Sequence, residues 1–194
     1  MENKRIFKLV LTALMSALCY VSFALLKISI PTPAGYTSFH LGNVFCVLAA
    51  LIIDGVSGGI AGAIGMGIGD LLDPRYIVTA PKTLILKFFI GYITGSLAHK
   101  VFKITEKQEI NKKDVVLSIS GGMLFNIIGE PVLSYIYYSL ILNNVDKAAS
   151  YLTVAKWVTT SVNSVLTIII GTILYLAIIK RIKNNKYYID LLKK

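Results

Sequence analysis

The sequence has few charged residues and few cysteines. Asp, Glu, Lys and Arg make up 15% of the 194 residues, whereas a soluble domain carries about 25%. The two cysteines, Cys19 and Cys46, lie inside apolar segments and match neither a metal-binding nor a redox spacing. These shortages exclude a disordered chain and a disulfide-stabilised secreted module. The 55% of hydrophobic residues and the mean hydropathy of +0.70 instead indicate a helical membrane protein.

The sequence also lacks motifs for ATP hydrolysis and a clear metal-binding pattern. No Gly-x-x-x-x-Gly-Lys-Ser/Thr sequence occurs, so any dependence on ATP must come from a partner. Asp70 and Asp73 are spaced closely enough to share a metal ion. A helix that ends in a turn at Pro74 explains these two aspartates more simply. We therefore expect no metal, no cofactor and no catalytic residue.

Long apolar segments predict an all-α fold with six transmembrane helices. A spanning helix needs about 20 mostly apolar residues, and the turn at Asp54-Gly55 separates two shorter segments. The whole chain, residues 1–194, is predicted to form a single membrane domain. The predicted helices cover residues 6–26, 40–53, 56–72, 83–102, 115–142 and 153–182.

The positive charges predict the orientation of these helices. Fourteen lysines and arginines lie at the N-terminus, between the fourth and fifth helices, and in the C-terminal tail. Five lie on the opposite side, among them Lys82 and Lys156, and Lys87 lies inside the fourth helix. Because positive residues accumulate on the cytoplasmic side, both termini are predicted to be cytoplasmic. The net charge of +10 then reflects topology, and no nucleic-acid partner is expected.

Small residues in the first and third helices indicate close helix packing. Gly58-x-x-x-Gly62 and Gly65-x-x-x-Gly69 have the spacing that lets helix backbones approach in lipid. The glycines lie on more than one face, so several neighbours are expected around the third helix; a hinge is the alternative. Ala13-x-x-x-Ala17 in the first helix suits either internal packing or a partner helix that docks from outside.

Polar residues within the predicted spans indicate a ligand pocket in the outer half of the membrane. Ionisable groups are costly there and usually face a cavity or a partner. Lys87 and Glu130 are the main examples, although they could instead form a structural ion pair. Pro131 lacks an N–H and frees a backbone carbonyl near Asn126. The predicted substrate-binding residues are Lys87, Asn126, Glu130, Asn163, Trp157, Tyr76 and Tyr135.

Aromatic residues and outer loops complete the predicted pocket. Ring faces for a flat heterocycle are offered by Tyr135, Tyr137, Tyr138 and Trp157, although tyrosines at a membrane interface are also common without a ligand. The substrate is expected to enter between the loops over residues 27–39, 73–82 and 143–153. The first of these contains Pro31, Pro33 and Gly35, so it should be extended and could cover the pocket.

Several of these features together resemble the S-component of energy-coupling factor (ECF) vitamin transporters. The resemblance rests on Ala13-x-x-x-Ala17, on the block His40-Leu-Gly-Asn43 before a glycine-rich helix, and on residues 80–95. It implies a vitamin bound at the outer face, a transmembrane coupling subunit, two ATPase subunits, and a docking role for Ala13 and Ala17. The second and third helices look most like members assigned to pyridoxine or to the pyrimidine precursor of thiamin, with no obvious match to riboflavin or thiamin binders.

Two other functions fit the sequence less well. An autonomous secondary transporter commonly carries inverted repeats, and the two halves of the chain show no clear correspondence. A small membrane enzyme that transfers phospholipid head groups needs clustered carboxylates, and the spacing around Asp70 and Asp73 does not continue. The predicted location is the plasma membrane of a bacterium, in contact with the lipid bilayer.

Overall fold

The long apolar segments fold as helices, and the all-helical class is confirmed. A computed structural model describes residues 2–32, 35–107, 109–146, 154–185 and 188–189. These residues include six helices of more than ten residues and one β-hairpin. The elements are α1 (Glu2–Ala24), β1 (Ile28–Thr32), β2 (Gly35–Phe39), α2 (Gly42–Ile52), α3 (Gly55–Leu71), α4 (Ala80–Ser96), α5 (Lys112–Ile136) and α6 (Val154–Ile182).

Short irregular turns extend two of these helices. A 3₁₀ turn over Ile77–Thr79 precedes α4, and five-residue π-helical turns over Leu97–Val101 and Tyr137–Ile141 follow α4 and α5. With these turns, four helices among the described residues are long and apolar enough to cross a membrane. They cover Lys4–Ala24, Ile77–Val101, Lys112–Ile141 and Lys156–Ile182. Since α2 has 11 residues and α3 has 17, the count of six spans stays a prediction.

Helix α2 forms the centre of the molecule. Ten of its 11 residues are buried, and α1, α3, α4 and α6 all pack around it. A helix that is apolar on every side belongs inside a bundle. Its last turn leads through Ile53 to Asp54, which accepts a hydrogen bond from the backbone N–H of Ser57 at 2.8 Å and so caps α3. This tight turn sets α2 and α3 side by side.

The glycines of α3 bring three neighbouring helices into close contact, as their distribution predicted. A Cβ atom on Gly62 would lie 2.5 Å from Cys46 Sγ in α2, and one on Gly65 would lie 2.5 Å from Cys19 Cβ in α1. A Cβ atom on Gly59 would lie 2.6 Å from the backbone oxygen of Phe88 in α4. The glycines therefore serve packing on three sides of α3.

Replacing Gly58 with alanine is expected to destabilise the protein. The new Cβ would lie 2.5 Å from the Cα and 2.6 Å from the N atom of Ala50, and backbone cannot move aside as a side chain can. Overpacking of this kind costs about 1–3 kcal/mol. Gly67→Ala on the same helix is the matched control, because its Cβ would meet only the end of the Leu84 side chain. Thermal unfolding in detergent measures both; equal stability of the two variants would contradict the packing role of Gly58.

The loop predicted over residues 27–39 contains the β-hairpin. Strands β1 and β2 pair antiparallel, with Ile30 opposite Thr37. Two side chains of α6 hold the hairpin on the bundle: Lys156 Nζ donates to the backbone oxygen of Tyr36 at 2.6 Å, and Asn163 Nδ2 donates to that of Ser38 at 2.9 Å. The hairpin thus covers one end of the bundle. Residues 33–34, and residues 147–153 of the predicted loop 143–153, lie outside the described part of the chain.

Candidate functional site

A polar cavity lies under the hairpin, between the last turn of α3 and helices α4, α5 and α6. We call it the hairpin cavity. Its volume is about 110 Å³, and its walls carry lysines, carboxylates, amides and threonines with few apolar side chains. Such a composition fits a small polar molecule better than a lipid tail. Residues of β2 that line it are Tyr36, Thr37 and Ser38.

The structure brings five of the seven predicted substrate-binding residues to this cavity. They are Lys87, Asn126, Glu130, Asn163 and Tyr76.

The other two predicted residues, Tyr135 and Trp157, do not line the cavity. Tyr135 is 39% exposed and Trp157 is half-buried. Tyr138 and Lys156, which are close to them in sequence, do line the cavity. Successive residues of a helix are rotated by about 100°, and Trp157 falls on the side of Lys156 that lies outside the cavity wall.

Glu130 forms an ion pair with Lys82, which the sequence analysis had placed among the outer loop charges. Lys82 Nζ lies 2.6 Å from Glu130 Oε1 and 2.7 Å from Ser134 Oγ. Helix α4 begins at Ala80, earlier than the predicted residue 83, so Lys82 belongs to its first turn and points inward. Among the described residues, the salt bridge of Glu130 is made with Lys82, and none within 4 Å joins it to Lys87.

Lys87 is a buried cation of the hairpin cavity. Its side chain lies one and a half turns further along α4 than Lys82, and the residue is 7% exposed. Among the described residues, no carboxylate lies within 4 Å of its ammonium group and no side-chain acceptor binds it. A buried ammonium group without a partner is costly. A ligand with an acceptor or a negative charge would offset that cost.

Three side chains in the cavity wall carry buried polar atoms without a hydrogen-bond partner. These atoms are Nδ2 and Oδ1 of Asn43, Nδ1 of His40 and Oδ1 of Asn126. His40 is held in place by an edge contact with the ring of Phe23, at 4.8 Å between ring centroids, and by its backbone N–H, which donates to Asn163 Oδ1 at 3.2 Å. Buried polar groups are normally paired, so these atoms mark positions for ligand hydrogen bonds.

His40 and Asn43 belong to the block that carries the family resemblance, but they are not among the predicted substrate-binding residues. The available signal was the block His40-Leu41-Gly42-Asn43 itself, which places two polar side chains next to an otherwise apolar helix. The depth of this block in the bundle, however, depends on the hairpin that covers it. Sequence periodicity does not predict that cover.

The two aspartates near the end of α3 have separate roles. Asp70 accepts a hydrogen bond from Thr83 Oγ1 at 2.6 Å inside the cavity. Asp73 lies at the rim, where Lys27 and Arg75 bind it at 2.6 Å and 2.7 Å. The described residues include no group of three or more His, Cys, Asp or Glu side chains that could hold a metal ion.

The rim cluster of Lys27, Asp73 and Arg75 joins the hairpin to the turn after α3. The ammonium group of Lys27 lies 4.9 Å from the centre of the Tyr76 ring, and the Arg75 guanidinium lies 5.5 Å from that of Tyr36. Hydrogen bonds from Arg75, helped by Lys27 and opposed by partial burial, hold the pKa of Asp73 well below its usual range. Its carboxylate therefore stays ionised at neutral pH and keeps the rim assembled.

Ala13 and Ala17 lie on the outer surface of α1. Both residues are exposed, as are Ile6, Val10 and Val21 on the same stripe. Ser16, in contrast, is buried and donates to the backbone oxygen of Thr12 at 2.9 Å. Ala13 and Ala17 therefore lie on the outer face of α1, and they do not contribute to packing inside the bundle. We call this stripe the α1 surface.

Comparisons with known proteins agree with this architecture. The family model described as "ECF-type riboflavin transporter, S component" matches residues 3–180, which is most of the chain. A protein of Pyrococcus woesei named "Uncharacterized protein in gap 3'region" is 29% identical over 118 residues, or 61% of this chain and 72% of that protein. No solved structure matches the chain significantly. The matched family is a transporter component and not an enzyme family, and the matched range includes the segments 13–17, 40–43 and 80–95 on which the S-component resemblance rests. The chain therefore belongs to the ECF S-component family, as a multi-pass membrane protein that binds the substrate of a vitamin-type transporter.

Proposed function

We propose that this protein captures a water-soluble vitamin or vitamin precursor at the outer face of a bacterial plasma membrane for an ECF-type ABC importer. The ligand lies in the hairpin cavity, and the best candidates are pyridoxine and a hydroxymethylpyrimidine-like heterocycle. The protein performs no chemistry on the ligand. A transmembrane coupling subunit and two ATPase subunits supply the energy for uptake.

The observation that carries this proposal is the set of unpaired buried polar atoms in the cavity wall. Asn43 has both a donor and an acceptor without a partner, and Asn126 adds an acceptor. Leaving such groups unsatisfied costs about 1–3 kcal/mol each. A heterocycle with ring nitrogens, hydroxyl groups or an amino group would satisfy them at once. The same groups discriminate strongly against ligands that lack matching donors and acceptors.

The size of the cavity favours a ligand with one ring. An engineered cavity of about 150 Å³ holds a single benzene ring, and the hairpin cavity, at about 110 Å³, is of similar size. A tricyclic flavin with its sugar-alcohol chain is several times larger. The family description names riboflavin, but the volume supports a pyridine or a pyrimidine for this chain. Lys87 would donate to an oxygen or nitrogen of that ring, and Tyr76 would contact its edge.

Topology and charge support the arrangement in the membrane. The proposed bundle has six spans, of which α2 and α3 are the short ones, and both termini face the cytoplasm. The hairpin then lies outside, where a vitamin arrives. Tyr135 and Trp157, predicted as ring-stacking partners, lie outside the cavity wall and would contact a ligand only if α5 or α6 rotated.

A binding titration tests the proposal. Purified protein in detergent is titrated with pyridoxine, the hydroxymethylpyrimidine precursor of thiamin, thiamin and riboflavin, by calorimetry. We expect one of the two single-ring compounds to bind with a submicromolar Kd. Binding of riboflavin alone would refute the ring-size argument, and no binding of any of the four by a folded sample would refute the proposed function.

Asn43→Leu and Thr172→Val form a matched pair for this titration. Each removes a buried polar group without a partner, but Thr172 lies on α6 away from the cavity. Asn43→Leu is expected to weaken binding by roughly 10–100-fold, which corresponds to the loss of one or two hydrogen bonds. Thr172→Val should bind like the wild type. Equal affinities of both variants would show that the ligand does not contact Asn43.

A further inference from the structure

A second cavity lies at the opposite end of the bundle, where α6 ends. We call it the tail cavity. The segment between α4 and α5 forms one wall, through Ile104 and Ile110, and the last turns of α6 form the other, through Tyr175 and Ile179. Tyr188, which follows α6, closes it. Its volume is about 250 Å³, more than that of the hairpin cavity, and the proposed vitamin site does not use it.

Two tyrosine hydroxyl groups in the tail cavity are buried without a hydrogen-bond partner. Tyr175 is 0% exposed and Tyr188 is 3% exposed, and the oxygen atom of each has no partner. A buried phenol normally finds one. Burial raises the pKa of Tyr188 to about 12, so its hydroxyl keeps its proton and can donate at neutral pH. Both hydroxyl groups can therefore donate a hydrogen bond to a ligand acceptor.

The remaining polar residues of the tail cavity favour an anion. Lys183 has no carboxylate within 4 Å among the described residues, whereas Lys107 pairs with Asp114 at 2.5 Å. Asn184 adds a further donor, whereas the Thr105 hydroxyl is paired with His99 Nδ1 at 3.5 Å. No carboxylate side chain lines the part of this cavity that the structure describes. Two phenols, an ammonium group and an amide can together donate more hydrogen bonds than the about four that a carboxylate accepts, and they suit the three or more oxygens of a phosphate.

We propose that the tail cavity is a second ligand site, which binds a phosphate-bearing molecule through Tyr175, Tyr188 and Lys183. The phosphate accepts hydrogen bonds from the two phenols and lies near the Lys183 ammonium group. The isoleucines contact the apolar part of the molecule. Two sources supply this chemistry: the head group of a phospholipid, or a free phosphate ester from the aqueous phase. In the proposed topology, this end faces the cytoplasm.

Binding of three probes to the full-length protein tests the site. Inorganic phosphate and glycerol 3-phosphate are titrated by calorimetry against protein in a phosphate-free detergent. Phosphatidic acid is tested by the shift in melting temperature of the protein in the same phosphate-free detergent with and without it. Binding of a soluble probe assigns an aqueous source, and a shift with phosphatidic acid alone assigns a lipid. No response to any of the three would overturn the proposal.

Tyrosine-to-phenylalanine variants retain the aromatic rings, and they distinguish binding at this site from binding elsewhere on the protein. Tyr175→Phe/Tyr188→Phe removes both hydroxyls and retains the packing, and it should weaken the responsive probe at least about tenfold. Lys183→Gln, an exposed change, should weaken it in the same direction. Tyr20→Phe/Tyr92→Phe is the matched control, with no expected effect. Unchanged binding by the first variant would overturn the assignment. Vitamin binding at the opposite end should be the same in all of them, so the two sites can fail independently.

Discussion

Replacing Lys82 with methionine is expected to destabilise the protein by about 3 kcal/mol and to abolish vitamin binding. The change leaves Glu130 as a carboxylate without its 2.6 Å ion-pair partner. Loss of one member of a buried pair costs about 3–5 kcal/mol. We expect a loss of stability at the low end of this range, because the Glu130 side chain is 23% exposed and water partly solvates its charge. Thermal unfolding in detergent, with and without ligand, measures both consequences.

The double variant Lys82→Met/Glu130→Gln is the control for this prediction. It removes both charges, so it should recover most of the lost stability, since a buried pair contributes little beyond its own desolvation cost. Binding should stay weak, because Glu130 lines the cavity. If the single and double variants are equally unstable, Lys82 acts through packing and not through its charge.

Enlarging the α1 surface is expected to abolish uptake without affecting vitamin binding. In Ala13→Leu/Ala17→Leu, two bulky side chains replace small residues that are exposed on α1. Helices in lipid associate where small residues let their backbones approach, so a partner helix could no longer dock there. We expect at least about a tenfold loss of vitamin uptake in cells that supply the coupling subunit and the ATPases.

The matched control for the α1 surface is Ala177→Leu, which enlarges an exposed alanine on α6. It should leave uptake unchanged, and both variants should bind the vitamin like the wild type. Normal uptake by Ala13→Leu/Ala17→Leu would place the partner elsewhere. Uptake by the wild-type chain alone in vesicles, without ATPases, would instead indicate an autonomous secondary transporter.

The amino-acid pattern was sufficient to predict the helical class and five of the residues that line the cavity. Lys87, Asn126 and Glu130 are polar residues within apolar segments. A polar side chain within a membrane usually faces a cavity or a partner. Depth along a helix also follows from the sequence, because the rise per residue is fixed. The same argument failed for Lys82. The depth of this residue depends on where α4 begins, and α4 begins at Ala80, before the apolar run that was used to predict it.

Side-chain direction was the weaker part of the prediction. Trp157 and Lys156 are neighbours in sequence and lie at the same depth, but only Lys156 lines the hairpin cavity. Aromatic residues are suitable for stacking in any orientation, so residue type alone cannot distinguish a ligand contact from a lipid contact. The rotation of α6 decides between them, and the contacts of Lys156 and Asn163 with the hairpin fix that rotation.

The sequence by itself determined that this is a helical membrane protein with a polar site inside it, because the cost of polar groups in lipid is a property of the residues. It also determined that α3 makes close contacts with several helices, since the spacing of its glycines is local. Only the tertiary structure decided which charges pair, which polar atoms stay unpaired and how large the cavity is. These features depend on distances between residues far apart in the chain, such as Lys82 and Glu130 or His40 and Asn163, and on a hairpin that covers them.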